Sequence, residues 1–206
     1  SMFLGDELTG VLEAIENGVH HDDAKRVKMT VGADIIPFIR RDNTDRNRTS
    51  PFAFTGNKFE FRMLGSSSSV SCTNVVLNTA VAEELKQFAD ELEGAANFEE
   101  TLHELIKKTI TDHKRIIFNG NNYAPEWVEE AARRGLKNLP TSVDAIPMLV
   151  EDKNIKLFTK HGVYTETELR SRCEILLENY SKVIRIEALT MLDMSAKEIM
   201  PAVNKF

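Results

Sequence analysis

From residue 74 onward, apolar residues recur at intervals of three and four, and this spacing constrains the fold more than any other feature of the chain. It is the pattern of amphipathic α-helices that bury one face. Gly94, Gly120 and Gly135 stand where three such helices are expected to end, and Pro125 stands where the third is expected to begin. The sequence therefore predicts a predominantly helical region over residues 73–206. The apolar positions that support this prediction include Val76, Ala80, Val81, Leu85, Phe88, Leu92, Leu102, Leu105, Ile106, Ile110, Leu169, Cys173, Leu176, Leu177, Tyr180, Val183, Ile184, Leu189 and Leu192.

Capping residues and one proline refine this helical prediction. Thr141 with Asp144 predicts a short helix, and Thr165 with Glu168 has the spacing of a capping box. The helical pattern that starts at Thr165 continues to about residue 205, and Pro201 is the one kink expected in it.

The first third of the chain has a different, mixed character. Residues 6–17 have helical apolar spacing and are followed by Gly18 as a stop signal. Residues 27–31 and 35–39 are β-branched and short, and residues 58–64 (KFEFRML) alternate with period two, so all three are expected to be strands. Pro37 makes the second of them an edge strand or an irregular piece. Three short strands make a poor sheet alone. We therefore predict an α+β fold in which residues 1–72 are a few-stranded excerpt of a larger sheet.

Bulk composition excludes several function classes. The 206 residues are 42% hydrophobic and 28% charged, an ordinary globular balance, and the net charge of −6 argues against a nucleic-acid partner. No apolar run reaches the ~20 residues of a membrane span. Cys72 and Cys173 match neither a disulfide framework nor a zinc spacing, and the N-terminus lacks the features of a signal peptide. We expect a cytoplasmic location and no membrane partner.

The strand KFEFR raises the question of function. Its alternation places Lys58, Glu60 and Arg62 on one face, and Phe59 and Phe61 on the other, where they are expected to pack inward on helices. One interpretation is an exposed strand whose charges neutralise one another. The other is a site for a metal-bound anion, in which Glu60 holds a hard divalent cation and the cations hold phosphate or carboxylate oxygens. The residues alone leave both interpretations open.

Two segments resemble a known family. NRTSPFAFTGNKFEFR, residues 47–62, closely resembles a core segment of the glutamine synthetases, specifically of the large type III form. IRIEALTMLDMSAKEIMPAV, residues 184–203, looks like the helical C-terminal region particular to that form. The resemblance implies that residues 1–72 are the C-terminal part of the catalytic domain and that residues 73–206 are a helical C-terminal region.

The resemblance also implies roles for single residues. Glu60 matches a glutamate that ligates one of two Mg²⁺ or Mn²⁺ ions beside the nucleotide phosphates, and Arg62 matches an arginine associated with substrate glutamate. Arg48 matches an arginine that contacts ATP and the developing phosphate, and Lys58 falls where shorter forms often carry a nucleotide-contacting arginine. Shorter forms have a further arginine at the position of Ala53, so that role falls to another residue, such as Arg46, or to none.

The implied reaction is the ATP-dependent ligation of ammonia to L-glutamate through γ-glutamyl phosphate, giving L-glutamine. The implied assembly of the complete enzyme is a homo-oligomeric ring structure, expected to be a dodecamer. The family's other metal-binding glutamates, its catalytic flap and its N-terminal domain precede the counterpart of NRTS, and the residues before it here show no matching motif. We therefore expect the isolated 206 residues to be inactive.

Several alternatives stay open at this stage. The chain could instead be an autonomous helical interaction or assembly domain without catalysis. His20 and His21 could belong to a metal site, although an exposed loop is the simpler interpretation. Residues 66–69, four serines, could form a phosphate-binding turn before a helix or a plain linker that ends in a cap.

Overall fold

The computed structural model describes residues 1–19, 48–66 and 68–206. The expected strands at 27–31 and 35–39, the histidine pair and Arg46 lie outside these residues. The described residues form three short strands, eight α-helices, two 3₁₀ turns and one π-helical turn. The strands are β1 (Met2–Phe3), β2 (Phe52–Phe54) and β3 (Phe59–Phe61); the helices are α1 (Asp6–Asn17), α2 (Ser71–Glu93), α3 (Phe98–His113), α4 (Pro125–Arg133), α5 (Ser142–Ala145), α6 (Asp152–Lys160), α7 (Glu166–Met194) and α8 (Met200–Lys205). The α+β prediction, mainly helical with a small sheet, is confirmed.

Local signals set most helix ends. Gly18 ends α1 in the left-handed conformation, at φ +65°, which a glycine adopts without a steric penalty. Pro125 opens α4, where its missing N–H costs no helical hydrogen bond. At the start of α7, the Thr165 hydroxyl accepts a hydrogen bond from the Glu168 amide, and the Glu168 carboxylate accepts one from the Thr165 amide. The predicted capping box is therefore present.

The predicted proline kink takes a specific form. A π-helical turn, Ser195–Ile199, lies between α7 and α8, and Pro201 sits at the start of α8. Because proline has no N–H to donate to the preceding turn, the regular α-helical pairing cannot continue through it. The chain remains helical on both sides of this irregular turn.

The chain divides into two compact units. One contains residues 1–69 and 86–138, and the other contains residues 70–85 and 139–206. The division predicted between residues 72 and 73 rests on the family resemblance and not on compactness, and it stays a prediction. None of the described helices combines the length and the apolar character that a bilayer-spanning segment needs.

The first unit is organised around the three-stranded sheet, in the order β1-β2-β3. β1 is parallel to β2, and β3 is antiparallel to β2. Phe3, Leu4 and Ala53 are buried here, and Leu105 of α3 is buried in the same unit. The Asn119 side chain ties the turn into α1 to the segment after α3: its Oδ1 accepts hydrogen bonds from the amides of Leu4 and Gly5, both at 3.1 Å.

The second unit is built on a small apolar core. Phe158 and Leu169 are its most buried members, with Ile155 beside them and Cys173 buried close by on α7, as its apolar position predicts. Half-buried Val75, Leu149, Val150 and Tyr164 pack around this core. Leu169 and Cys173 are the buried residues of α7, and Leu177 and Tyr180 further along it are half-buried.

Candidate functional site: the Glu60–Arg62 strand

The charged strand is the centre of the candidate site. β3 is shorter than the predicted seven residues and spans Phe59–Phe61, and the Arg62 amide continues the pairing by donating to the Pro51 carbonyl at 2.8 Å. The connection from β2 turns at Gly56, whose φ of +89° favours glycine. The Lys58 carbonyl accepts from the Thr55 amide at 2.9 Å and closes this turn. Lys58 therefore lies in the turn, not in the strand.

Glu60 and Arg62 share one face and form an ion pair. Arg62 Nη2 lies 2.7 Å from Glu60 Oε2, and Arg62 Nε donates to the same oxygen at 3.2 Å. The side chains retain 29% (Arg62) and 42% (Glu60) of their exposure. At that exposure such a pair contributes about 0–1 kcal/mol to stability, because water screens it. Both side chains are therefore partly exposed to solvent.

The strand pairing identifies which face this is. Phe3 pairs with Ala53 and Ala53 pairs with Glu60, and directly paired residues point to the same side of a sheet. Phe3 and Ala53 are almost fully buried, so Glu60 extends from the covered face of the sheet.

The prediction that the strand's phenylalanines pack inward on helices is wrong. Phe59 is 51% exposed and Phe61 is 38% exposed. Each instead packs in a tilted arrangement against a ring across the hairpin, Phe59 against Phe54 with ring centroids 5.2 Å apart and Phe61 against Phe52 at 4.7 Å. Cross-strand aromatic pairs of this kind stabilise a hairpin without a covering layer.

The other two predicted site residues lie on exposed surface. Arg48 is exposed, and the loop after it is fixed by Thr49, whose hydroxyl accepts from the Asn122 amide at 3.0 Å. Ser50 is buried and donates to the Phe52 carbonyl at 2.7 Å. Of the four predicted residues, the structure joins Glu60 and Arg62 by an ion pair and places Arg48 and Lys58 at the surface. The roles of all four stay predictions.

The residues that hold this loop and hairpin in place were not predicted. Asn119 and Thr49 act through contacts to residues more than 70 positions away in the chain. No local spacing signals such contacts, so only the fold could reveal them. Trp127 stacks on Phe118 with ring centroids 4.0 Å apart, whereas Tyr123 is 78% exposed.

Two further observations limit the site. Across residues 1–19, 48–66 and 68–206, no group of three or more His, Cys, Asp or Glu side chains is placed to hold a metal ion. A cleft of about 610 Å³ lies in the first unit, lined by residues of α1, residues 110–119 and Arg134, and none of the four predicted site residues lines it. The Glu60–Arg62 pair therefore lies outside this cleft.

The described residues form an α+β structure whose small sheet carries the Glu60–Arg62 ion pair. Comparison with known proteins gives the family of the chain. A family model for the glutamine synthetase C-terminal domain matches residues 101–206, just over half of the chain. The chain belongs to this family.

Three relatives extend the similarity over nearly the whole chain. The chain is 47% identical to a glutamine synthetase of Butyrivibrio fibrisolvens over 97% of its length, and 43% identical to a type-3 glutamine synthetase of Dictyostelium discoideum over 98%. It is 36% identical to a glutamine synthetase of Bacteroides fragilis, again over 98%. The chain spans 28% of the length of each relative.

Proposed function

We propose that these 206 residues are one part of a longer type 3 glutamine synthetase, a glutamate–ammonia ligase that uses ATP. The observation that carries the proposal is the similarity to proteins of that name over 97–98% of the chain, which includes the charged strand as well as the helices. The chain matches only 28% of each relative, so the proposal concerns the complete protein.

The proposed reaction has two steps. A γ-carboxylate oxygen of L-glutamate attacks the γ-phosphorus of ATP, the bond to the bridging oxygen breaks, and ADP leaves. Ammonia then attacks the acyl carbon of γ-glutamyl phosphate, phosphate leaves with the bonding electrons, and a proton is lost to give L-glutamine. Both steps move negative charge, so positioned cations supply much of the catalysis.

We propose that three basic side chains supply these positioned cations. Arg62 holds a carboxylate of L-glutamate through its planar fork, which lysine lacks. Arg48 and Lys58 neutralise nucleotide and phosphoryl oxygens, and their exposed positions leave both side chains able to reach a ligand. In the structure, Arg62 uses Nε and Nη2 on Glu60, so substrate binding has to compete with this ion pair.

The proposed metal ions do not fit the described residues alone. Mg²⁺ or Mn²⁺ needs oxygen ligands in near-octahedral array, commonly one or two carboxylates together with substrate phosphates and water. Glu60 supplies one carboxylate, it is paired with Arg62, and the described residues hold no group of three candidate ligands. In the proposal Glu60 is one ligand of a site completed by other parts of the protein, and we derive no step through the metal.

An assembly domain without catalysis is the second candidate function for this part of the protein. The exposed apolar surface of α7 and α8 favours it. The two candidates are compatible, because the helical region can serve assembly while the strand serves the ligase site. A cytoplasmic, ring-shaped homo-oligomer is the form we propose for the complete enzyme.

The test is glutamine formation from ATP, ammonia and L-glutamate. We expect no turnover from the 206 residues alone. In the complete enzyme, Glu60→Gln keeps the shape and removes the charge, and we expect a loss of roughly 10²–10³ in kcat, typical of removing one electrostatic group. Glu84→Gln, at an exposed position on α2, is the matched control. Equal activity of the two variants would refute the role of Glu60, and turnover by the isolated chain would refute the proposal that it is an incomplete part.

A companion variant separates the substrates. Arg62→Lys keeps a positive charge and loses the fork. We expect the KM for L-glutamate to rise more than the KM for ATP, measured with each substrate varied in turn. Equal increases would assign Arg62 to the phosphoryl group instead.

A further inference from the structure

The loop that carries Arg48 is held by a turn 73 residues further along the chain. The Asn122 amide donates a hydrogen bond to the Thr49 hydroxyl at 3.0 Å. Ser50, the next residue, is 1% exposed and donates to the Phe52 carbonyl at 2.7 Å. Arg48 itself is exposed, so its backbone is fixed one residue away while its side chain stays at the surface.

The supporting turn, residues 118–122, is itself held at its start. The Phe118 amide donates to the Met2 carbonyl at 2.9 Å, next to β1. The Phe118 ring stacks on Trp127 of α4, with ring centroids 4.0 Å apart and 18° between the planes. The guanidinium carbon of Arg134 lies 5.9 Å from the Phe118 centroid and 5.5 Å from that of Trp127. A ring packed in this way has little room to move.

Gly120 packs against this ring and leaves no space for a side chain. A Cβ atom at position 120 would lie 2.5 Å from Cζ of Phe118 and 3.0 and 3.1 Å from its two Cε atoms. Carbon atoms in contact lie about 3.5–4.0 Å apart, so an alanine has to displace the ring or the turn. The Asn122 side chain donates to the Gly120 carbonyl at 3.4 Å, so a shift of residue 120 is passed on to Asn122. Gly120 therefore helps to decide where the Asn122 amide meets Thr49.

We propose that Gly120 and Thr49 are positioning residues for Arg48 in the ligase reaction. The supporting turn belongs to the region that the family model matches, residues 101–206, whereas Arg48 lies before it. Both belong to the first compact unit. The C-terminal region thus serves phosphoryl transfer without touching a substrate, because it fixes the loop that carries a nucleotide-contacting arginine. The inference rests on the proposed function and on the role proposed there for Arg48.

The proposed chemistry makes such a support measurable. Arg48 is proposed to neutralise nucleotide and phosphoryl oxygens, and a cation is effective only where the negative charge develops. A misplacement of about 1 Å, even one caused far from the reacting atoms, can cost roughly 10²-fold in rate. Fixing the backbone beside Arg48 before ATP binds reduces this loss.

The first experiment compares Gly120→Ala with Gly94→Ala in the complete enzyme. No atom lies within 4 Å of the place that a Cβ on Gly94 would take, and neither glycine has a left-handed φ, so Gly94→Ala is the matched control. We expect Gly120→Ala to lower kcat roughly 10- to 100-fold and to raise the KM for ATP by about threefold or more, because a contact to a charged group is weakened. The KM for L-glutamate should change less than about twofold, since that substrate is assigned to Arg62.

The KM for ATP separates displacement of Arg48 from simple instability. Partial unfolding removes active enzyme and lowers the apparent kcat, but the molecules that stay folded keep their KM. An unchanged KM for ATP in Gly120→Ala, or equal effects of Gly94→Ala, would overturn the proposal.

A double-mutant cycle shows whether Gly120 acts through Arg48. When Arg48→Ala is already present, the arginine to be positioned is gone, so adding Gly120→Ala should lower kcat/KM for ATP by less than about twofold. A merely structural role gives the same fold loss with and without Arg48. Equal losses in the two backgrounds would therefore refute the positioning role.

The Thr49 hydroxyl provides an independent test, which also serves if Gly120→Ala does not fold. Thr49→Val keeps the shape of the side chain and removes the acceptor for the Asn122 amide, whereas Thr49→Ser keeps the hydroxyl. We expect Thr49→Val to raise the KM for ATP and lower kcat, and Thr49→Ser to stay within about twofold of the unmodified enzyme. A valine variant without effect, or a serine variant as impaired as valine, contradicts the inference. Far-UV circular dichroism checks that each variant keeps its helix content.

The unmodified complete enzyme separates this inference from the proposed function. If it forms glutamine and the Gly120 and Thr49 variants behave like Gly94→Ala, only the positioning role is overturned. If Arg48→Ala alone changes neither kcat nor the KM for ATP, the role of Arg48 is wrong and the inference falls with it. If the unmodified enzyme forms no glutamine, the proposed function is overturned and so is this inference.

Discussion

Asn119→Ala should destabilise the first unit strongly, although Asn119 itself is only half-buried. The Asn119 Oδ1 accepts hydrogen bonds from the amides of Leu4 and Gly5, and its Nδ2 donates to the Thr9 hydroxyl at 2.9 Å. Leu4 and Gly5 are buried, so removal of Oδ1 leaves two buried amides without this acceptor. Each buried unsatisfied donor costs about 1–3 kcal/mol, so we expect a loss of roughly 2–6 kcal/mol in the free energy of unfolding.

The chain contains its own reporter for this measurement. Trp127 is the single tryptophan, it belongs to the first unit, and it stacks on Phe118. Tryptophan fluorescence during urea unfolding therefore follows the unit that Asn119 stabilises. The expected result is a lower midpoint with an unchanged slope, since a change in slope would indicate altered compactness instead.

Two variants sharpen the comparison. Asn121→Ala makes the same substitution two positions further on, where the side chain accepts one exposed hydrogen bond from the Tyr123 amide, and it should cost less than about 0.5 kcal/mol. Asn119→Asp keeps an acceptor for both amides and loses the donor to Thr9, so its cost should fall between the two. If Asn119→Ala costs no more than Asn121→Ala, the argument from buried amides is refuted.

Two further predictions concern the second unit. Hydrogen bonds from the Thr165 amide and hydroxyl hold the pKa of Glu168 below its ordinary value of 4.5. Because the pKa is depressed in the folded state, the ionised Glu168 carboxylate stabilises the fold above pH 4.5, and this contribution is lost as the pH falls through the folded pKa. Thr165→Ala keeps the amide donor, which is the larger cause, and removes the hydroxyl donor, so it should raise that pKa part of the way toward 4.5 in an NMR titration. An unchanged pKa would contradict the contribution of the hydroxyl. Leu169→Ala, at a fully buried position, should cost about 2–5 kcal/mol by circular dichroism, whereas Leu176→Ala, at 40% exposure, should cost much less.

How much of the fold the sequence could predict depends on the range of the interactions. Helix α1, the start of α4 at Pro125 and the capping box at Thr165 are set by neighbouring residues, and all three are confirmed. Strands β1 and β2 were missed because they have two and three residues, too few to show a period. Helix α6 was also missed: it has no side-chain N-cap, and its nine residues contain two buried apolar positions.

The orientation of the charged strand shows a second limit. Alternation correctly predicts that Glu60 and Arg62 share a face. Alternation cannot predict which face of the strand is buried, because this depends on residues distant in the chain. One of them is Phe3 in β1, which is separated from β3 by β2 in the sheet. The phenylalanine face was therefore assigned to the interior although it is half exposed.

The final prediction concerns Glu60→Gln, which should strengthen anion binding by the isolated chain and lower kcat in the complete enzyme. Glu60 accepts two hydrogen bonds from Arg62, so in the isolated chain the pair presents little net charge to an anion. Glu60→Gln removes the negative charge, and an exposed pair worth about 0.2–1 kcal/mol corresponds to an increase of roughly 1.5- to 5-fold in affinity for a nearby anion.

We therefore expect the isolated Glu60→Gln chain to bind metal-free ATP more tightly than the unmodified chain, by calorimetry in the presence of a chelator at low salt. The same substitution should lower kcat in the complete enzyme, where the proposed role of the carboxylate is to hold a metal. Glu84→Gln controls for the change in total charge, because it removes one carboxylate away from the strand. If Glu84→Gln raises the affinity for ATP as much as Glu60→Gln does, the anion responds to net charge alone, and the strand face is not where it binds.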